Sequence, residues 1–129
     1  MKLGVRYIIA GPDEQSNRDF KKILDGFSLL AFQGSITTFQ DAKKYVWEKS
    51  LDLAFIRIGE VAFNAYELFN EIRSRNPLSK VVFMSNHEEY ALEAFECEVD
   101  GFLLIPFEEG KVENLIGRIF QEQEHQRES

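Results

Sequence analysis

The segment Lys80–Phe107, with the sequence KVVFMSNHEEYALEAFECEVDGFLLIPF, restricts the fold of this chain more than any other. It begins with the apolar run Val81–Met84 and ends with a second apolar run, Phe102–Ile105, directly before Pro106. Short apolar runs rich in branched and aromatic residues are typical of strands covered on both faces of a parallel sheet. The segment therefore predicts a strand–helix–strand unit, whose two strands are parallel and joined by a right-handed crossover.

The helix between these two runs is predicted from its capping residues and its periodicity. Asn86 and Glu89 have the spacing of an N-terminal capping pair. One helical face then carries the apolar residues Tyr90, Ala91, Ala94 and Phe95. The sequence Val99–Gly101 separates this helix from the strand that follows.

The same alternation extends along the rest of the chain. Three further strands are predicted within Leu3–Ala10, Ser28–Gly34 and Leu51–Ile58. Four further helices are indicated by apolar stripes at Phe20, Ile23 and Leu24; at Ala42, Tyr45 and Val46; at Ala65, Leu68, Phe69 and Ile72; and at Val112, Leu115, Ile116, Ile119 and Phe120. Five strands alternating with five helices predict a (βα)5 fold. This is a flavodoxin-like, doubly wound parallel sheet with strand order 2-1-3-4-5 and helices on both faces.

In that strand order the ligand crevice lies outside the carboxyl ends of strands one and three. The rule selects Gly11, Pro12 and Asp13 after the first strand and Arg57–Gly59 after the third. Two further candidates, Ser85 and Ile105, end strands four and five at the same edge of the sheet.

Length, charge and cysteine content limit the classes of function. The 129 residues predict one domain, residues 1–121, followed by a polar tail, residues 122–129. No apolar run approaches the ~20 residues that cross a membrane. The net charge of −7, without a run of Lys and Arg longer than two, argues against direct nucleic-acid binding. The single Cys97 excludes an internal disulfide and favours a reducing, cytoplasmic location.

The segment quoted above resembles the second half of a response-regulator receiver domain. Its EEYALEAFE and VDGFLL stretches are most similar to receivers that precede LytTR-type DNA-binding domains, and a weaker resemblance extends from Tyr7 to Phe120. The resemblance implies a role in two-component signal transduction, in which a histidine kinase phosphorylates an aspartate that ends strand three. In that family two acids after strand one hold Mg²⁺, a Ser or Thr ends strand four, and a Lys before a Pro ends strand five.

This sequence departs from the family pattern where the chemistry takes place. The positions that depart are Arg57 for the phosphorylated aspartate, Gly11 and Pro12 for the acidic pair, and Ile105 for the lysine. The positions that match are Ser85, the aromatic switch position Phe102, and Pro106, with the cis bond that the family has before this proline.

A guanidinium group cannot act as the nucleophile that forms an acyl phosphate. Mg²⁺ prefers carboxylate and other hard oxygen ligands, and Asp13 beside an arginine is a poor site for it. The loop Gly11–Ser16 also lacks the Gly, Ser and Thr density of a phosphate-cradling flavin site. We therefore expect no phosphorylation, no metal, no cofactor and no enzymatic activity.

The sequence leaves several interpretations open. Arg57 either forms a structural ion pair with Asp13 or Glu60, which would imitate a closed, charge-balanced pocket, or it binds an anion. Ser85 either caps the next helix or is a remnant of a signalling site. Asp13 as an unusual phosphoacceptor would make the chain an orthodox phosphorelay receiver.

The preferred interpretation is an atypical receiver that acts as a non-catalytic protein-interaction or dimerisation module. Its expected binding surface is the helix 4–strand 5–helix 5 face, with Tyr90, Phe95 and Phe102 as switch or interface residues. The expected partner is a second copy of the chain or another protein, neither nucleic acid nor membrane. The alternative is a sensor of a small anionic ligand that uses the crevice at Arg57.

Overall fold

The computed structural model describes residues 4–128, with the side chains of residues 120–128 left out of the description. Within this range strands and helices alternate along the chain. The strands are β1 Val5–Ala10, β2 Leu30–Ile36, β3 Leu53–Arg57, β4 Lys80–Ser85 and β5 Gly101–Leu104. The helices are α1 Glu14–Leu24, α2 Phe39–Glu48, α3 Ala65–Arg75, α4 Tyr90–Glu96 and α5 Glu109–Glu128.

The strands form one parallel sheet in the order β2-β1-β3-β4-β5, which confirms the predicted fold class and strand order. Strand β2 lies two residues later than predicted. It is an edge strand that is nowhere fully buried, so its apolar pattern is weak, and the predicted residue Leu29 lies before it and is 45% exposed. The register of β2 against β1 shifts between Tyr7 and Ile8.

The core consists of two apolar layers, one on each face of the sheet. Successive strand residues point to opposite faces. In β3, for example, Ala54 and Ile56 lie in the layer covered by α2, α3 and α4, whereas Leu53 and Phe55 lie in the layer covered by α1 and α5. The central strands are therefore buried on both sides, which explains why they read as continuous apolar runs.

Side-chain caps fix the beginnings of the first three helices. Asp13, Thr38 and Asn64 each accept a hydrogen bond from the backbone N–H three residues later. The predicted cap at Asn86 is wrong, because α4 begins only at Tyr90 and has no side-chain cap. The hydroxyl of Ser85 accepts a hydrogen bond from the N–H of His87, in the segment between β4 and α4.

Helix α5 extends further than its apolar stripe. Its buried residues are Val112, Leu115, Ile116 and Ile119, as predicted, whereas the side chain of Phe120 lies outside the described residues. Residues 122–128 continue the helix. The division into a domain of residues 1–121 and a tail of residues 122–129 stays a prediction. In the part of the chain that the structure describes, no helix has the length and apolar character needed to cross a membrane.

Candidate functional site

Arg57 is the last residue of β3, and its side chain lies over the end of β1. A β-carbon added to Gly11 would be only 3.0 Å from the β-carbon of Arg57 and 3.3 Å from Oδ1 of Asn17. The absence of a side chain at Gly11 therefore gives Arg57 its space. The glycine after β1 and the arginine at the end of β3 thus fit each other sterically.

The guanidinium group of Arg57 is held by two side chains. Its Nε donates to Oε1 of Glu60 at 3.0 Å, and its Nη1 donates to the hydroxyl of Ser16 at 3.0 Å. The Arg57 side chain is only 13% exposed. Of the two acids expected to pair with Arg57, the structure thus places Glu60 against it.

Asp13, the other acid, caps helix α1. Its Oδ1 accepts a hydrogen bond from the backbone N–H of Ser16 at 3.1 Å. Asp13 and the preceding Pro12 are both exposed. The turn after β1 therefore directs the Asp13 carboxylate to the start of α1.

A buried polar cluster next to Arg57 was missed from the sequence. Asn17 is 3% exposed, and its Nδ2 donates to the carbonyl of Gly11 at 3.1 Å and to the hydroxyl of Ser35 at 3.0 Å. These bonds join α1 to the ends of β1 and β2. A signal was available, because Asn17 lies three residues before Phe20 on the buried stripe of α1, where a polar residue needs a partner.

Gly59 connects the loop after β3 to helix α4. Its φ of +89° lies in the region that favours glycine. A β-carbon at Gly59 would be 3.0 Å from Cε2 of Tyr90, so the Tyr90 ring lies directly against the Gly59 backbone. The first residue of α4 therefore packs on the loop that contains Glu60.

Strands β4 and β5 complete the edge. Ser85 is 1% exposed, and its carbonyl accepts from the N–H of Ile105 at 2.8 Å. The peptide bond between Ile105 and Pro106 is cis, as the receiver resemblance implied. The Ile105 side chain packs against the core layer under α1 and α5.

The side chains at this edge do not fit a magnesium ion. Such an ion prefers several carboxylate or other hard oxygen ligands. The ends of β1 and β3 present Gly11 and the Arg57 cation, and the nearby acid Glu60 is already paired. Across the residues described, there is no cluster of three or more His, Cys, Asp or Glu side chains that could hold a metal ion.

A groove of about 540 Å³ lies between α4, β5 and α5. Apolar side chains of Phe95, Phe102 and Leu104 line it, and Phe95 is 57% exposed. Its charged residues are Glu88, Glu108, Lys111 and Arg118. Two of the three predicted interface residues, Phe95 and Phe102, thus share this groove, whereas Tyr90 contacts Gly59. Participation of any of the three in an interface stays a prediction.

No protein-family model matches this chain. It is similar to the sensory transduction protein LytR of Streptococcus mutans, with 30% identity over 78 residues that cover 60% of this chain and 32% of that protein. It is also similar to the sensory transduction protein LytT of Bacillus cereus, with 26% identity over 106 residues that cover 81% of this chain and 43% of that protein. The matched regions are therefore less than half the length of these relatives.

Solved structures share the whole fold. The response regulatory domain of protein MrkE from Klebsiella pneumoniae superimposes with a TM-score of 0.82 at 22% identity, covering 93% of this chain and 98% of that one. A CheY-like receiver domain protein from Methanospirillum hungatei gives a TM-score of 0.79 at 18% identity, covering 95% and 98%. At these identities the likeness demonstrates a common fold.

Proposed function

We propose that this chain, which has the fold of a response-regulator receiver domain and resembles the LytR and LytT proteins in sequence, acts in signal transduction without accepting a phosphoryl group. It works as a non-catalytic module that binds proteins. The observation that carries this proposal is the Arg57 side chain, which fills the end of β3 and is paired with Glu60.

Phosphoryl transfer to the end of β3 depends on the atom that is available there for attack. Formation of an acyl phosphate requires a carboxylate oxygen at this position, and a guanidinium group remains protonated and offers no lone pair for attack. Arg57 would also repel a divalent cation brought to the end of β1. Asp13 is the remaining acid in the turn, and its engagement as the cap of α1 supports its exclusion as a substitute acceptor.

Glu60 also argues against a sensor of small anions. Two donors of the Arg57 guanidinium, Nε and Nη1, are already bonded to Glu60 and Ser16. The carboxylate of Glu60 already neutralises this guanidinium group, and unlike an external phosphate or carboxylate it loses no translational freedom when it binds. The ion pair therefore takes the place of a ligand.

The groove between α4, β5 and α5 is the binding surface. Exposed aromatic and apolar side chains surrounded by charged residues are the composition of a protein interface. The groove contains the acids Glu88 and Glu108 and the bases Lys111 and Arg118, so two copies related by a two-fold axis can present opposite charges to each other. A second copy of this chain is the proposed occupant. The net charge of −7 and the lone Cys97 favour protein partners and a reducing, cytoplasmic compartment.

The test is phosphorylation by a small phosphodonor. The purified protein is incubated with an acyl phosphate and Mg²⁺, and its intact mass is recorded within minutes, beside a receiver that carries the acceptor aspartate. We expect a phosphoryl adduct on that control protein and none on this chain. A stoichiometric adduct that persists in Arg57→Ala and disappears in Asp13→Asn would show that the chain is an orthodox receiver with an unusual acceptor.

A further inference from the structure

The loop between β3 and α3 connects the Arg57 guanidinium group to helix α4 by two contacts. At one end, Glu60 is bonded to Arg57 at 3.0 Å. At the other end, Gly59 lies under the ring of Tyr90, closely enough that a β-carbon there would meet Cε2 at 3.0 Å and Cζ at 3.2 Å. Gly59 is the residue directly before Glu60, so the ion pair fixes the backbone on which Tyr90 rests.

Helix α4 has few other contacts that hold it. It has seven residues, no side-chain cap, and Ala94 as its buried residue. Leu92 and Phe95 are 70% and 57% exposed. A short helix with so little buried apolar surface opens or shifts at low cost, which makes each remaining contact important for its position.

We infer that the Arg57–Glu60 ion pair holds α4 in place through the contact between Gly59 and Tyr90, and that breaking this pair is the event that releases α4. Because Glu88, Ala91 and Phe95 line the groove between α4, β5 and α5, release of α4 alters the proposed binding surface. The inference rests on the proposed function, because it takes this internal ion pair, and not a phosphoryl group, as what determines the conformation of the domain.

The experiment compares two variants that each remove one ion pair. Glu60→Ala breaks the pair with Arg57, and Glu67→Ala breaks the pair between Glu67 and Lys43, which joins α3 to α2. The two glutamates are similarly exposed, at 38% and 45%, so the variants are matched in burial and in charge. Hydrogen–deuterium exchange of residues 91–97 reports on α4, and exchange of residues 17–24 in α1 serves as the internal reference.

We expect exchange in α4 to accelerate roughly two- to fivefold in Glu60→Ala, since a partly exposed ion pair contributes little by itself, and to stay unchanged in Glu67→Ala. In a Tyr90→Ala background, the additional Glu60→Ala change should have no further effect on α4. A nuclear Overhauser effect between the α-protons of Gly59 and the Tyr90 ring, measured without any change at Tyr90, should be present in the wild type and in Glu67→Ala and lost in Glu60→Ala.

Unchanged α4 exchange in Glu60→Ala, an equal effect in Glu67→Ala, or an effect that persists without Tyr90 would overturn the inference. These outcomes are independent of the phosphodonor experiment. A phosphoryl adduct on the wild type would remove the proposed function, whereas an uncoupled α4 would remove only the link between the ion pair and the groove.

Discussion

At the scale of single residues, Arg57 and Gly11 are complementary. A long cationic side chain at the end of β3 requires space over the end of β1, and glycine provides it. In the proposed function, the same pair takes the place of the attacking carboxylate and of a metal-binding acid of the receiver pattern. The effect of substituting one of these residues on the free energy of unfolding should therefore depend on the other.

This complementarity predicts a coupled effect on stability. Gly11→Ala places a methyl group 3.0 Å from the β-carbon of Arg57, and we expect it to lower the free energy of unfolding by about 1–3 kcal/mol through overpacking. In an Arg57→Gly background the β-carbon that this methyl group meets is absent, so the loss of unfolding free energy should be smaller. Urea unfolding of the four proteins in this double-mutant cycle measures the coupling. Equal costs in both backgrounds would show that Gly11 and Arg57 are independent.

At the scale of elements, α4 differs from its neighbour α3. Helix α3 has eleven residues, the side-chain cap Asn64 and four buried apolar residues. Helix α4 is shorter, lacks such a cap, and is followed after Cys97 by Glu98, which has a positive φ of 63°. The N–H groups of Glu98 and Val99 bond to the carbonyls of Phe95 and Ala94, which is the Schellman arrangement that usually has glycine at its left-handed position.

The end of α4 therefore offers a stabilising substitution. Glu98→Gly removes the steric cost of a left-handed non-glycine residue, and we expect the free energy of unfolding to rise by about 1 kcal/mol. Glu96→Gly is the matched control. It places glycine inside the same helix, where it should lower the free energy of unfolding by about 1 kcal/mol. Chemical denaturation measures both; a loss of stability in Glu98→Gly would mean that the Glu98 side chain contributes more than its backbone strain costs.

At the scale of the whole molecule, the two places where function is proposed lie at edges of the sheet. The Arg57–Glu60 ion pair lies at the carboxyl edge of β1 and β3, and the groove lies beside the edge strand β5. Helix α4 contacts Gly59, next to this ion pair, through Tyr90, and it lines the groove through Phe95. The fold thus places α4, a short helix with little buried surface, between the Arg57–Glu60 ion pair and the exposed groove.

Two substitutions on α4 test the groove as a dimer interface. Phe95→Arg adds a charge within the groove, and Leu92→Arg adds the same charge to an exposed residue outside its lining. We expect the dissociation constant of the dimer to rise at least about tenfold in Phe95→Arg, as for the loss of a central aromatic contact, and to change little in Leu92→Arg. Analytical ultracentrifugation over a concentration series measures it. A wild-type chain that stays monomeric at high concentration, or equal effects of both variants, would reject this interface.

The sequence by itself determined the fold. The central strands β1, β3 and β4 are buried on both faces along most of their length, so they were recognisable as apolar runs, as was the edge strand β5, and the helices between them as stripes. It also identified Arg57 and Gly11 as residues of one crevice, because the strand order brings the ends of β1 and β3 together. The edge strand β2 was misplaced by two residues because half-exposed strands carry a weaker pattern.

Only the tertiary structure decided which partners these residues take. The choice of Glu60 over Asp13 for Arg57 depends on the direction of the turn after β1, where Asp13 caps α1. The buried bonds of Asn17 and the packing of Tyr90 on Gly59 join residues that are distant along the chain. Periodicity reports how each segment is buried, whereas a side chain's partner depends on distances of a few tenths of an ångström that exist only once the segments have packed together.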